Sequence, residues 1–128
     1  MDSISAEFHP NERLLRAIWP NDGKYNQYWK CDRPSSACFK DRRGLSVNRT
    51  AGRDFQSVLE ITKKSFSNSV IASVSVQDCK DINAKPKYLP SKSNELHSEI
   101  HKDDQCKCLS ASQARELAKR AKIDYKPV

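Results

Sequence analysis

A chain of 128 residues is most simply one domain, and 37% apolar residues with a mean hydropathy of -0.81 leave room for only a small core. No window approaches the ~18 apolar residues of a membrane span. The net charge of +7 favours anionic partners over a neutral surface.

The opening segment, Met1 to Pro10, is acidic and mixed. It lacks the basic start and apolar run of a secretory signal, so we expect an N-terminal arm on a cytoplasmic protein. Five unevenly spaced cysteines (31, 38, 79, 106 and 108) make a poor disulfide framework and agree with that expectation. The Asn48-Arg49-Thr50 sequon is then a coincidence, since glycosylation requires secretion. Charge is unevenly spread. Residues 24–53 carry eight Lys/Arg against two Asp, and residues 107–128 carry six against two acidic residues. Two separated basic blocks point to a nucleotide, a nucleic-acid segment or an acidic protein face; a merely solubilising surface is the bland alternative.

Residues 11–19 read as a short amphipathic helix, or, since nine residues is short for one, as an extended arrival at a loop. Leu14, Leu15, Ile18 and Trp19 form one stripe, Asn11 is a possible cap and Pro20 a stop. Tyr25, Tyr28 and Trp29 follow, rimmed by Lys24, Lys30 and Arg33. They could stack a base, but Trp29 and one tyrosine more simply plug the core. Pro34 extends Arg33. Ala37–Phe39 and Leu45–Val47 then read as two strands of a hairpin around the Asp41–Gly44 turn. Phe55, Val58, Leu59, Thr62 and Phe66 recur at helical spacing, giving a helix over 54–66 with Asp54 and Lys63-Lys64 matched to its dipole. The β-branched run at 69–76 is the best strand, and its two-sided apolar start suggests a central position. Residues 77–94 read as a long connection. Residues 95–102 fit either a helix or a strand with Leu96, Ser98 and Ile100 inward. Ser110 and Gln113 form a capping box for a helix over 111–122 with a narrow Ala/Leu stripe.

Chemistry could reside in three places. The first is a donor cluster of Arg33, Ser35, Ser36, Lys40, Ser46 and Arg49. Guanidinium groups grip phosphate bidentately and serine hydroxyls add adaptable bonds, and the predicted hairpin would bring the two halves together. The alternative has the arginines paired with Asp32 and Asp41. With three isolated glycines, no Gly-rich phosphate loop is present. The second is His97-Ser98-Glu99-Ile100-His101, where His97 and Glu99 are candidate acid–base groups. The third is a weak metal alternative of Cys106, Cys108 and His101, whose C-x-C spacing is tighter than zinc sites use. A serine nucleophile, Ser35 or Ser36 with His97, matches composition only, because no nucleophile-elbow glycine pattern accompanies it.

The pieces Arg-Pro-Ser-Ser-Ala-x-Phe-Lys at 33–40, Gly-Leu-Ser-Val-x-Arg at 44–49, His-x-Glu-Ile at 97–100 and Leu-Ser-x-x-Gln-Ala-Arg-x-Leu-Ala at 109–118 resemble a group of small uncharacterised bacterial proteins. The resemblance implies that the polar stretch and the His-x-Glu-Ile element share a site. It implies no reaction type. Cys106-x-Cys108 stands outside the pattern.

The expectation is therefore an α+β domain spanning 1–128, with a small mixed or antiparallel sheet covered by two or three helices. Its leading function is binding of an anionic ligand, a nucleotide or RNA/DNA, without a cofactor. The second function is a non-catalytic subunit that docks on an acidic protein partner in a bacterial toxin–antitoxin or defence assembly.

Overall fold

The computed structural model describes residues 4–23 and 26–127, so Lys24 and Tyr25 of the aromatic–basic cluster lie outside it, as do residues 1–3. Strand β1 (Arg13–Ile18) stands where the sequence suggested a helix. The cause is burial on two sides. Leu14 and Leu15 are neighbours that point to opposite faces, and both are essentially inaccessible to solvent. An i, i+1, i+4 pattern arises equally from a helix stripe and from a short strand with apolar residues on each face.

β1 is central because β4 (Leu45–Arg49) and β5 (Val70–Ser75) pair with it antiparallel on either side. The sheet extends through β6 (Lys85–Tyr88), β7 (His97–His101) and β8 (Lys122–Tyr125) in the order β6-β7-β4-β1-β5-β8, every pair antiparallel. A separate two-stranded ladder joins β2 (Trp29–Lys30) to β3 (Arg33–Pro34). The architecture is a single compact α+β domain.

Helices cover both faces of the sheet. On the first, Leu14, Ile18, Leu45, Val47, Val74 and Ile100 pack against α2 (Val76–Asp81), α3 (Ala111–Arg120) and a 3₁₀ turn at Ser36–Phe39. Each fully buried side chain of this size stabilises by about 1.5–3 kcal/mol. On the second face, α1 (Phe55–Ser65) lays Val58 and Leu59 over Leu15 and Ile71. Only part of that face is roofed. Ala17, Ser46 and His97 lie beyond the end of α1 and line an open hollow.

The proposed 37–47 hairpin is corrected. Residues 36–39 form the 3₁₀ turn, and β4 pairs with β1 and β7 instead. Phe39 and Cys38 are buried against α3, which favours compact backbone over a ladder at this point. The supposed connection 77–94 contains α2 and β6. α2 starts with a capping box: the Asp78 N–H donates to Ser75 Oγ, and the Ser75 N–H donates to the Asp78 carboxylate. Helix 111–122 ends at Arg120, and the chain then extends into β8. β7 takes the strand alternative, with Ser98 and Ile100 buried and His97, Glu99 and His101 half-buried on the other face; Leu96, just before the strand, departs from the expected alternation and packs under α1 with Leu15 and Ile71. The N-terminal arm is held down from residue 5 onward, because Arg49 donates to the Ser5 and Glu7 carbonyls. No helix among the described residues is long and apolar enough to cross a membrane.

Candidate functional site

The β2–β3 ladder sorts its residues by face. Trp29 and Pro34 pair and turn inward, and the Trp29 indole donates to the Trp19 carbonyl at 2.8 Å. Their neighbours Lys30 and Arg33, also a cross-strand pair, are left exposed. Ser35 Oγ then donates to the Gln27 carbonyl at 2.6 Å, closing the turn that leads into Ser36–Phe39. Since α3 packs on this 3₁₀ turn through Ala114, Leu117 and Ala118, its outer flank brings Arg115 and Lys119 to the same place.

The result is a cleft of about 530 Å³ lined by Lys30, Arg33, Ser35, Ser36, Arg115 and Lys119, with Cys31, Pro34 and Ala118 between them. Among the described residues no carboxylate lines it. Arg33 Nη2 donates to the Lys119 carbonyl at 2.8 Å, which fixes the guanidinium on the helix end and leaves its other N–H groups for a ligand. Lys119 reaches Glu116 at 3.4 Å on the exposed surface, a contact of little worth. Lys30, Arg33 and Arg115 form no ion pair among the described residues, so the alternative pairing of Arg33 with Asp32 is not seen. Arg115 and Lys119 are like charges one helical turn apart, an arrangement that costs about 0.2–0.5 kcal/mol without a counter-ion.

Other members of the predicted cluster lie elsewhere. Lys40 is exposed after the 3₁₀ turn and does not line the cleft. Arg49 is 2% exposed, with Nε on Glu12 at 2.6 Å, Nη2 on the other Glu12 oxygen at 3.0 Å, and the faces of Phe8 and Tyr88 at 4.1 and 4.8 Å from its guanidinium carbon. All three guanidinium nitrogens are engaged by protein oxygens. Arg49 is a structural residue that ties the N-terminal arm to the sheet, which removes it from the anion site.

Ser46 and His97 belong to the hollow on the second sheet face. About 360 Å³ in volume, it is lined by Leu15, Ala17, Trp19 and Phe66 on its apolar side and by Ser46, Asn48, Asn94 and His97 on its polar side. His97 and Glu99 do not act together: Glu99 Oε1 accepts from His101 Nε2 at 2.8 Å. That pair packs over Gly44, whose φ is +101° and where an added Cβ would collide with Glu99 Oε1.

Backbone groups fix the polarity of the hollow's hydrogen bonds. The Leu96 N–H donates to Asn94 Oδ1, so Asn94 Nδ2 donates to Asn48 Oδ1 at 2.7 Å. Asn48 Nδ2 then donates to Thr62 Oγ1 at 3.0 Å, whose own hydroxyl donates to the Val58 carbonyl. On the other side, the Leu89 carbonyl can only accept, so His97 Nδ1 carries the proton that bridges their 2.8 Å. In the neutral ring with this tautomer, the lone pair is on His97 Nε2, which faces Ser46 Oγ at 3.4 Å.

The cysteines behave as their burial requires. Loss of solvent pushes the Cys38 thiol up to about 11 and the Cys79 thiol up to about 12. Among the described residues no group of three His, Cys, Asp or Glu side chains could hold a metal ion. Cys106 is exposed on a turn whose backbone donates to Asp103, and His101 is occupied by Glu99, so the Cys106/Cys108/His101 alternative has no geometric basis.

The sequence marked Lys30 only as part of the basic rim of the aromatic cluster, and marked neither Arg115 and Lys119 as ligand groups nor Trp19, Phe66, Asn48 and Asn94 as a pocket. The basic block at 107–128 was the signal for the first set. Membership of the second depends on which strand faces stay unroofed, which no local pattern encodes. In comparisons with known proteins, no family model, curated protein or solved structure matches the chain.

Proposed function

We propose that the protein binds a phosphate-bearing ligand, a nucleotide unit either free or within a strand, in the cleft between the β2–β3 ladder and α3. The observation that supports this reading is the convergence of Lys30, Arg33, Arg115 and Lys119 from the two basic blocks onto a cleft without carboxylates. Its size lies within the ~300–1,000 Å³ usual for small-molecule sites. Ser35 and Ser36 add short hydroxyls between the cations. Among the described residues no aromatic side chain lines the cleft, and Trp29 is committed to the core, so the support is for recognition of phosphate.

The test is binding of ATP and of a short single-stranded RNA to the wild type and to Lys30→Ala and Arg115→Ala variants. Both side chains are exposed, so the fold tolerates their removal. Each charge-assisted bond is worth about 1.5–3 kcal/mol, so we expect affinity to fall roughly 10- to 100-fold per variant. Preference for RNA over ATP would place the nucleotide unit within a strand, and the reverse would make it free. Equal affinity of wild type and both variants for both ligands would remove the reading.

A further inference from the structure

The hollow on the second sheet face contains a polar arrangement that the anion cleft does not use. Ser46 is exposed, and its Oγ lies 3.4 Å from His97 Nε2, the acceptor of the neutral ring whose Nδ1–H is anchored on the Leu89 carbonyl. This is a hydroxyl, a base and an orienting acceptor in line, the geometry by which an imidazole activates a serine. Such contacts are often longer than 3.2 Å before a substrate binds. Beside it, Asn48 and Asn94 each engage one amide N–H in the chain from Leu96 to Val58. Each amide has a second N–H, and both side chains line the same hollow. The remaining walls are mostly apolar (Leu15, Ala17, Trp19, Val47 and Phe66, the two aromatics 51% and 49% exposed), joined by Ser69 and by Arg16, whose guanidinium donates to the Cys38 and Ser46 carbonyls.

We propose that this hollow is an acyl-transfer site for small esters bearing an apolar group, with Ser46 as nucleophile and His97 as its base. Ser46 Oγ attacks the ester carbonyl carbon and its proton passes to His97 Nε2. The carbonyl π pair moves onto oxygen, where the second N–H groups of Asn48 and Asn94 are the available donors. Collapse of the tetrahedral species breaks the bond to the alkoxide, which leaves with the proton held on His97. Water then attacks the acyl-Ser46 ester, giving a proton to His97. The second collapse returns that proton to Ser46 Oγ and releases a carboxylic acid. The net change is ester plus water to acid plus alcohol, with no oxidant, metal or cofactor required. Glu99 takes no part, since it is held by His101.

The inference is independent of the anion cleft and is tested on the full chain with a fluorophosphonate probe and with p-nitrophenyl butyrate. We expect one covalent adduct, located by mass spectrometry on the peptide containing Ser46, together with ester turnover. Ser46→Ala should lose both adduct and turnover. His97→Gln can keep a donor to Leu89 but has no base, and should label and turn over at least ~100-fold more slowly, the lower end of what a positioned base supplies. Circular dichroism of both variants should match the wild type. The proposal is overturned if the wild type takes no adduct at Ser46, if Ser46→Ala hydrolyses the ester like the wild type, or if His97→Gln labels at the wild-type rate. The last result would mean that the Ser46–His97 contact is only a strand-surface hydrogen bond.

Discussion

Arg49, between Asn48 and Thr50, and Arg115, between Ala114 and Glu116, are both arginines without a basic neighbour in the sequence. Arg49 faces the roofed side of the sheet and is sealed there with Glu12, both side chains at most 4% exposed. Arg115 faces solvent on the outer flank of α3. Charge is legible from the letters, but the face on which it ends up depends on pairing. Arg49→Ala would leave the Glu12 carboxylate buried with its main partner gone, at a cost of about 3–5 kcal/mol. Arg53→Ala, which removes an exposed pair with Glu95, should cost less than about 1 kcal/mol. Urea unfolding of the two variants checks this, and similar midpoints would refute the structural role given to Arg49. The thiols allow a second test. Burial raises the folded-state values of Cys38 and Cys79 to about 11 and about 12, above the unfolded value near 8.5–9. A raised value means that the folded chain keeps its proton. The associated stability is complete below about pH 8.5 and is lost as pH rises towards 11–12. At pH 8 a thiol reagent should therefore modify exposed Cys31 and Cys106 quickly, and reach Cys38 and Cys79 only when denaturant is added. Rapid modification of all five in the native protein would contradict the burial.

At the scale of elements, signals carried by a cap or by a long periodic run were readable. Helices α1 and α3 and strand β5 lie within a few residues of their expected bounds, and the Ser110/Gln113 box forms as drawn. Short apolar runs were not readable, because six residues cannot separate a helix stripe from a strand buried on both faces, as β1 demonstrates. The Ser75-x-x-Asp78 box was present in the letters and announced α2, but the polar residues around it suggested a loop. Turns add a prediction of their own. Gly44 and Gly52 both have positive φ, +101° and +76°, so alanine strains the backbone at either, by about 1–2 kcal/mol for left-handed conformations. Only at Gly44 does a new Cβ meet Glu99 and His101; at Gly52 nothing lies within 4 Å. Gly44→Ala should thus destabilise measurably more than Gly52→Ala in thermal unfolding. Equal losses would mean that the Glu99–His101 pair does not close over this turn.

On the scale of the whole molecule, the two basic blocks, far apart in sequence, meet because α3 packs on the Ser36–Phe39 turn, and that packing is hydrophobic. Apolar contacts therefore do the positioning, and the charges are carried along on the outer surfaces of the same elements. Repulsion among Lys30, Arg33, Arg115 and Lys119 is relieved by any polyanion, and such relief has a measurable dependence on salt. Binding that neutralises phosphates releases their condensed counter-ions, so for a single strand log K falls with log salt by about 0.7 for each phosphate neutralised. Four cations in the cleft set an upper bound of about four such contacts. The slope for single-stranded RNA should lie between about −0.7 for one contact and about −3 for four, and Arg115→Ala should make it shallower by about 0.7–1. A hydrophobic substitution that dislodges α3, such as Leu117→Ala, should instead weaken binding by separating the two halves of the cleft, because Leu117 is fully buried against the core. That loss should be accompanied by lower stability, by about 2–5 kcal/mol. Titration of the RNA across a salt series separates the two cases. A wild-type slope near zero, or one unchanged by Arg115→Ala, would show that these cations do not contact phosphate.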